Sequence, residues 1–227
     1  MYKSLGETMS FDLETLDIEG YNGKSIMNKF LKQKSGSGPL SVVLPGLRYN
    51  VDMPILYYTT GILLAAGHSV LSVDIRYSEI QEFMSGSSQE RTKWMFKDAE
   101  TIYNTIQGLE GFNLSVLAGK SLGTILMSYM VQNYLDIQEC KTLWLTPLLH
   151  HDLVVNQMIA HKGKSLVVIG TADSIYDDDK ISRLVEEGKC EILAIPRGNH
   201  SLDVPGGVLE SMKQLTSIMS SFNDFVR

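Results

Sequence analysis

The sequence predicts an α/β fold: a doubly wound, mostly parallel sheet with antiparallel N-terminal edge strands and helices on both faces. Three observations predict it. Short apolar runs recur at LSVVLPG, HSVLSV, NLSVLAG, KTLWL, SLVVIG and CEILAI. Stretches of helical length and period separate them. Residues ahead of the first run alternate with period two instead. Short continuous apolar runs suit strands covered on both faces. Their alternation with helices builds βαβ units, whose right-handed crossovers distribute helices over both faces.

The elements follow in order. FDLETLDIEG and GKSIMNKFLK alternate apolar and polar residues around the turn signal YNG, which predicts a hairpin over 11–34. Residues 1–37 are assigned to this edge unit, and KSGSGP ends it. Residues 54–66 predict a helix closing at Gly67. Residues 88–108 predict a long amphipathic helix, capped by Ser87 or Ser88, with Trp94, Ala99, Ile102 and Ile106 as its buried stripe. Further helices fall at TILMSYMVQNYL, DLVVNQMIA, DKISRLVEEG and PGGVLESMKQLTSIMSSFNDFV. With no internal repeat and no second linker, residues 1–227 are expected to form a single domain. The one insertion-like stretch, 77–87, reads either as a small flap over the site or as a surface loop.

Composition excludes several classes of function. A chain that is 44% hydrophobic and 20% charged is not disordered. A net charge of −6 without a Lys/Arg-rich run argues against nucleic acid as a partner. Cys140 and Cys190 form neither a CxxC nor a zinc-spaced cluster, so a disulfide scaffold and a structural metal are not expected. The start of the chain lacks an apolar h-region, and no run is long enough to span a bilayer. The expectation is a cytoplasmic protein with no membrane partner.

In open α/β sheets, ligands bind beyond the carboxyl ends of the strands. The sharpest signal there is Gly119-Lys120-Ser121-Leu122-Gly123, a G-x-S-x-G between a predicted strand and a predicted helix. A strand turning directly into a helix leaves no room for side chains at the flanking positions and exposes the central serine. A serine hydroxyl needs a base, and the base needs an orienting acid. His200 follows the last strand and is the candidate base; His150 and His151 are lesser candidates. Asp173 follows SLVVIG and is the candidate acid. Asp177, Asp178 and Asp179 read as solvated carboxylates at a helix N-terminus, and Asp74 and Asp203 are poorly placed. The backbone N–H groups of Leu47 and Leu122 are the expected donors to an oxyanion. Arg48, Tyr49, Lys120 and Tyr77 are the expected pocket residues. Lys120 either lies over the pocket, favouring an anionic substrate, or is a solvated lysine.

LPGLRY, VLAGKSLGT, VVIGTADSIYD and IPRGNHSLDVPGG together resemble the α/β-hydrolase fold family over roughly residues 38–227. Its small capless, dienelactone-hydrolase-like members are the most similar. The resemblance implies a serine hydrolase acting on a small-molecule ester or related acyl bond without a cofactor. Ser121 would be the nucleophile, Asp173 the acid and His200 the base, in the family's chain order. The family's usual His-Gly in the oxyanion loop is Pro45-Gly46 here, which leaves backbone donation intact. The rival readings are a non-catalytic binding protein on the same fold, or the same triad directed at thioester, peptide or C–C bonds.

Overall fold

The computed structural model describes residues 11–227. Residues 1–10, which carry the start of the expected edge unit and much of the segment read for an h-region, lie outside the described residues. The described strands form one sheet. They are β1 (Phe11–Glu14), β2 (Asn28–Gln33), β3 (Gly38–Leu44), β4 (Ser69–Val73), β5 (Phe112–Lys120), β6 (Lys141–Leu145), β7 (Ser165–Gly170) and β8 (Glu191–Ile195). Their order is β1-β2-β4-β3-β5-β6-β7-β8. The β1–β2 and β2–β4 pairs are antiparallel, and every other neighbouring pair is parallel. The doubly wound sheet with antiparallel edge strands is therefore observed.

The helices are α1 (Pro54–Ala65), α2 (Gln81–Ser85), α3 (Ser88–Gln107), α4 (Gly123–Asn133), α5 (Asp152–Ala160), α6 (Asp178–Glu186) and α7 (Val208–Val226). They divide between two apolar layers. Leu40, Val42 and Leu44 of β3 join Trp94, Met127, Met158 and Leu184 of α3, α4, α5 and α6. Val43, their neighbour in β3, joins Leu56, Leu63, Ile218 and Phe222 of α1 and α7. Period-two strands thus feed both faces. Each fully buried large apolar side chain contributes about 1.5–3 kcal/mol.

Local signals account for the element ends. Ser87 and Glu90 form a reciprocal capping box at the start of α3, and Trp94, Ala99, Ile102 and Ile106 are all buried. Pro54 opens α1, and Gly67 follows it at φ 86°.

Two expectations are refined. The hairpin ladder is shorter than the alternation implied: β1 and β2 pair from Phe11↔Gln33 to Glu14↔Phe30, with one further bridge at Glu19↔Ser25. Between them the buried Asn28 amide substitutes for the ladder. It accepts from Leu16 N at 2.9 Å and donates to Leu16 O at 2.8 Å. Residues 77–87, read as a flap or a surface loop, hold α2 and are pinned by buried aromatics. Phe83 is 2% exposed, stacks on Tyr77 at 4.3 Å and meets Trp94 edge-on at 5.8 Å. Burying these aromatics against α3 anchors the segment in the core.

Candidate active site

Ser121, Asp173 and His200 come from three separate strand ends and meet at one edge of the sheet. Ser121 follows β5 directly and sits at φ 50°, in the left-handed region. That conformation costs a non-glycine residue on the order of 1–3 kcal/mol and persists only where its surroundings over-determine it. Here they do. A Cβ on Gly123 would stand 2.7 Å from Pro45 O and 2.8 Å from Leu44 O. One on Gly119 would collide with Met127 Sδ and stand 3.0 Å from the Gly123 backbone. The Thr124 hydroxyl then donates to Ser121 O at 2.6 Å, closing the first turn of α4.

His200 Nε2 lies 2.8 Å from Ser121 Oγ, and His200 Nδ1 lies 2.7 Å from Asp173 Oδ2. A carboxylate only accepts, so Nδ1–H donates to Asp173 and Nε2 is left to accept from the serine hydroxyl. The Asp173 carboxylate is buried, and its Oδ1 accepts from Ile175 N at 3.1 Å. The other candidates lie elsewhere. Asp177 caps α6 by accepting from Lys180 N, and Asp74 pairs with Arg76. Buried His68 and His161 bond Ser41 Oγ and Cys140 O, and His151 stands at the N-cap of α5.

The loop after β3 packs against this turn. A Cβ on Gly46 would meet Ser121 Cβ at 3.4 Å. Gly46 N donates to Tyr49 O at 2.9 Å, closing a tight turn that carries Leu47. Among the described residues, the amides of Leu47 and Leu122 donate to no protein acceptor. Leu122 also stands at the N-cap of α4, where unpaired N–H groups and the helix dipole favour negative charge.

Beside the Ser121, His200 and Asp173 group runs a cavity of about 650 Å³ between the N-terminal ends of α1 and α7. Arg48 and Tyr49 line it together with Met53, Ile55, Val208 and Met212. Ser121 and His200 do not line it, but Ser201 and Leu202 do, so it opens alongside the histidine loop. The Tyr49 hydroxyl accepts from Ile55 N at 3.0 Å, and burial raises its pKa. Arg48 is exposed and has no carboxylate partner among the described residues.

Lys120 and Tyr77 are not pocket residues. Tyr77 is buried, and its hydroxyl donates to the buried Asp98 at 2.8 Å. Lys120 is 1% exposed, so it is neither over the pocket nor solvated. Its Nζ donates to Thr146 Oγ1 at 2.9 Å and His200 O at 2.8 Å, and lies 4.6 Å from the centre of the Tyr49 ring. Burial pulls its pKa down to about 8 against the opposing pull of Asp173 and Asp203.

Sequence reasoning missed two supports. Asn199 Oδ1 accepts from Ser201 N at 2.8 Å and Asp203 N at 3.0 Å, shaping the histidine loop. Asx-turn propensity beside His200 was the signal available for it. Thr146 sits at φ 42° after β6, and a polar residue ending an apolar strand at the same sheet edge was its signal. Among the described residues, no three His, Cys, Asp or Glu side chains gather as a metal-binding group. No described helix is long and apolar enough to cross a membrane.

No protein-family model matches the chain, and no curated protein is similar to it in sequence. Solved structures are similar in fold. An esterase from Pyrococcus furiosus aligns with a TM-score of 0.69 at 13% identity, over 96% of this chain and 93% of its own. A serine hydrolase without a lid from Xanthomonas campestris gives 0.68 at 15%, over 95% and 94%. Dienelactone hydrolase from Anabaena variabilis gives 0.68 at 14%, over 95% and 96%. The chain has the α/β-hydrolase fold.

Proposed function

We propose that this protein is a serine hydrolase that cleaves a small-molecule carboxylic ester through an acyl-enzyme. The observation that carries the reading is the continuous hydrogen-bond relay from Ser121 through His200 to Asp173, at 2.8 and 2.7 Å. Its residue types and geometry are those of an activated serine. The similarity in fold to named esterases supports it.

The chemistry follows from the atoms present. Ser121 Oγ attacks the ester carbonyl as its proton passes to His200 Nε2. Asp173 holds the imidazole in the tautomer that accepts this proton and stabilises the imidazolium that forms. The Leu47 and Leu122 amides donate to the oxyanion, each worth about 3–4 kcal/mol in the transition state. The C–O bond to the alcohol breaks and His200 returns the proton to it. Water then attacks the acyl-serine by the same route, releasing the acid and restoring Ser121.

The cavity beside the triad supports an apolar arm on the substrate. Met53, Val208 and Met212 are 40%, 75% and 57% exposed around it, a clustering of solvated apolar surface that a hydrophobic ligand would relieve.

Labelling with a fluorophosphonate tests the reading. Ser121 Oγ displaces fluoride at phosphorus, so the wild type is expected to label and Ser121→Ala is not. A folded wild type that fails to label overturns it.

A further inference from the structure

We propose that Lys120 is a positioning residue: its buried ammonium clamps the backbone of His200 to the nucleophile strand. The proposal rests on the serine-hydrolase reading for its kinetic part and on geometry alone for the rest.

The histidine loop follows β8, the edge strand, so the sheet supports it on one side only. Its other ties are local or reach the β7 loop. Asn199 N donates to Asp203 O, Ala172 N donates to Gly198 O, and Arg197 N donates to Thr171 Oγ1. Among the described residues, none of these reaches β5. Lys120 does. It ends β5, one residue before Ser121, and spans 80 positions of sequence to His200 O at 2.8 Å. Its bond to Thr146 Oγ1 at the end of β6 aims the side chain along that path.

The surroundings favour a charge that is otherwise costly to bury. An ammonium has three donors. Two go to the His200 carbonyl and the Thr146 hydroxyl, and the Tyr49 ring faces the group at 4.6 Å. Among the described residues no carboxylate pairs with it directly, but Asp173 and Asp203 lie near enough to favour the charged form. Charge-assisted bonds are roughly twice as strong as neutral ones. Loss of the proton near pH 8 therefore weakens the clamp on His200 while leaving Ser121, Asp173 and the oxyanion amides in place. Tyr49, whose ring faces the group, has its pKa raised and stays neutral there.

The test follows kcat and KM for a short-chain p-nitrophenyl ester from pH 5 to 10, in the wild type and in Lys120→Met, which keeps the volume. It is paired with the downfield Nδ1–H proton resonance of His200, assigned by its loss in His200→Ala. The wild-type kcat is expected to fall through a group titrating near pH 8. In Lys120→Met, kcat is expected to be down about 10–100-fold with KM little changed, the fall near pH 8 gone and the resonance broadened. A folded Lys120→Met with wild-type kcat, the same pH profile and a sharp resonance overturns the proposal. If Lys120→Met does not fold, the wild type decides: a profile and resonance unchanged across pH 8 overturn the clamp. If the wild type neither hydrolyses the ester nor labels with fluorophosphonate, the hydrolase reading fails. The resonance in wild type and Lys120→Met then decides the clamp by itself.

Discussion

The Ser121 turn and the histidine loop meet at the bond between Ser121 Oγ and His200 Nε2 but are held by opposite means. The turn follows β5, which lies between β3 and β6, and excluded volume shapes it. A Cβ on Gly123 would press on the carbonyls of Leu44 and Pro45, and Ser121 keeps a strained φ in this crowded turn. The histidine loop follows an edge strand whose residues are mostly exposed or half-buried, and polar contacts hold it. Asn199 shapes it, Thr171 and Ala172 dock it to the β7 loop, and Lys120 ties it to the nucleophile strand. Steric support tolerates changes of pH but not of volume, and hydrogen-bonded support behaves in reverse. On this account His200, not Ser121, is the environment-sensitive half of the site.

The largest expected effect ignores that contrast. Ser121→Ala and His200→Ala should each lower kcat roughly 10⁴–10⁶-fold, because members of a triad act as a unit. Steady-state ester hydrolysis checks this, and a residue whose loss costs under tenfold has no triad role.

Next comes pH. Lys120 has a folded pKa of about 8, below its ordinary 10.5, so the native state binds fewer protons than the unfolded state between these values. Its contribution to stability therefore rises as pH increases through that window, by on the order of 3 kcal/mol. Urea midpoints of wild type minus Lys120→Met, at pH 7.5 and 10, should show that rise while ester turnover falls. A difference that does not change with pH removes the buried-cation account.

Volume gives a smaller effect that separates the two regions directly. Gly123→Ala drives a Cβ into carbonyls between two strands and should destabilise by about 1–3 kcal/mol or more. Gly170→Ala drives one closer still, into the Gly198 backbone, and the contrast requires that the edge loop give way. That variant should lower kcat with less loss of Tm. Equal losses of Tm would erase the contrast drawn above. The smallest effect is Asn199→Ala, which frees two loop amides that solvent can reach. About 1 kcal/mol of stability and a several-fold drop in kcat are expected, with KM nearly constant.

Legibility in the sequence follows the range of the interactions. Apolar runs, capping residues and turn glycines act within a few residues. The helix over 152–160 and the strand over 165–170 are therefore found where the pattern put them. Ser121, Asp173 and His200 were legible as types at strand ends, since the sheet's topology alone brings those ends to one edge. Where a long side chain goes was not legible. Lys120 reads like any polar residue in a turn, and Tyr77 like an aromatic beside a flap. Their burial depends on partners 80 and 21 positions away.

By itself the sequence determined the winding of the sheet, the glycine-flanked serine and the chain order of the three polar groups. Each is encoded by local sterics or by period. Only the tertiary structure decided that Phe83 anchors residues 77–87, that Asn28 interrupts the hairpin ladder, and that an ammonium lies beneath the histidine. Such contacts form between segments that pattern alone cannot align, and in a low-dielectric interior a polar side chain goes wherever distant partners satisfy it.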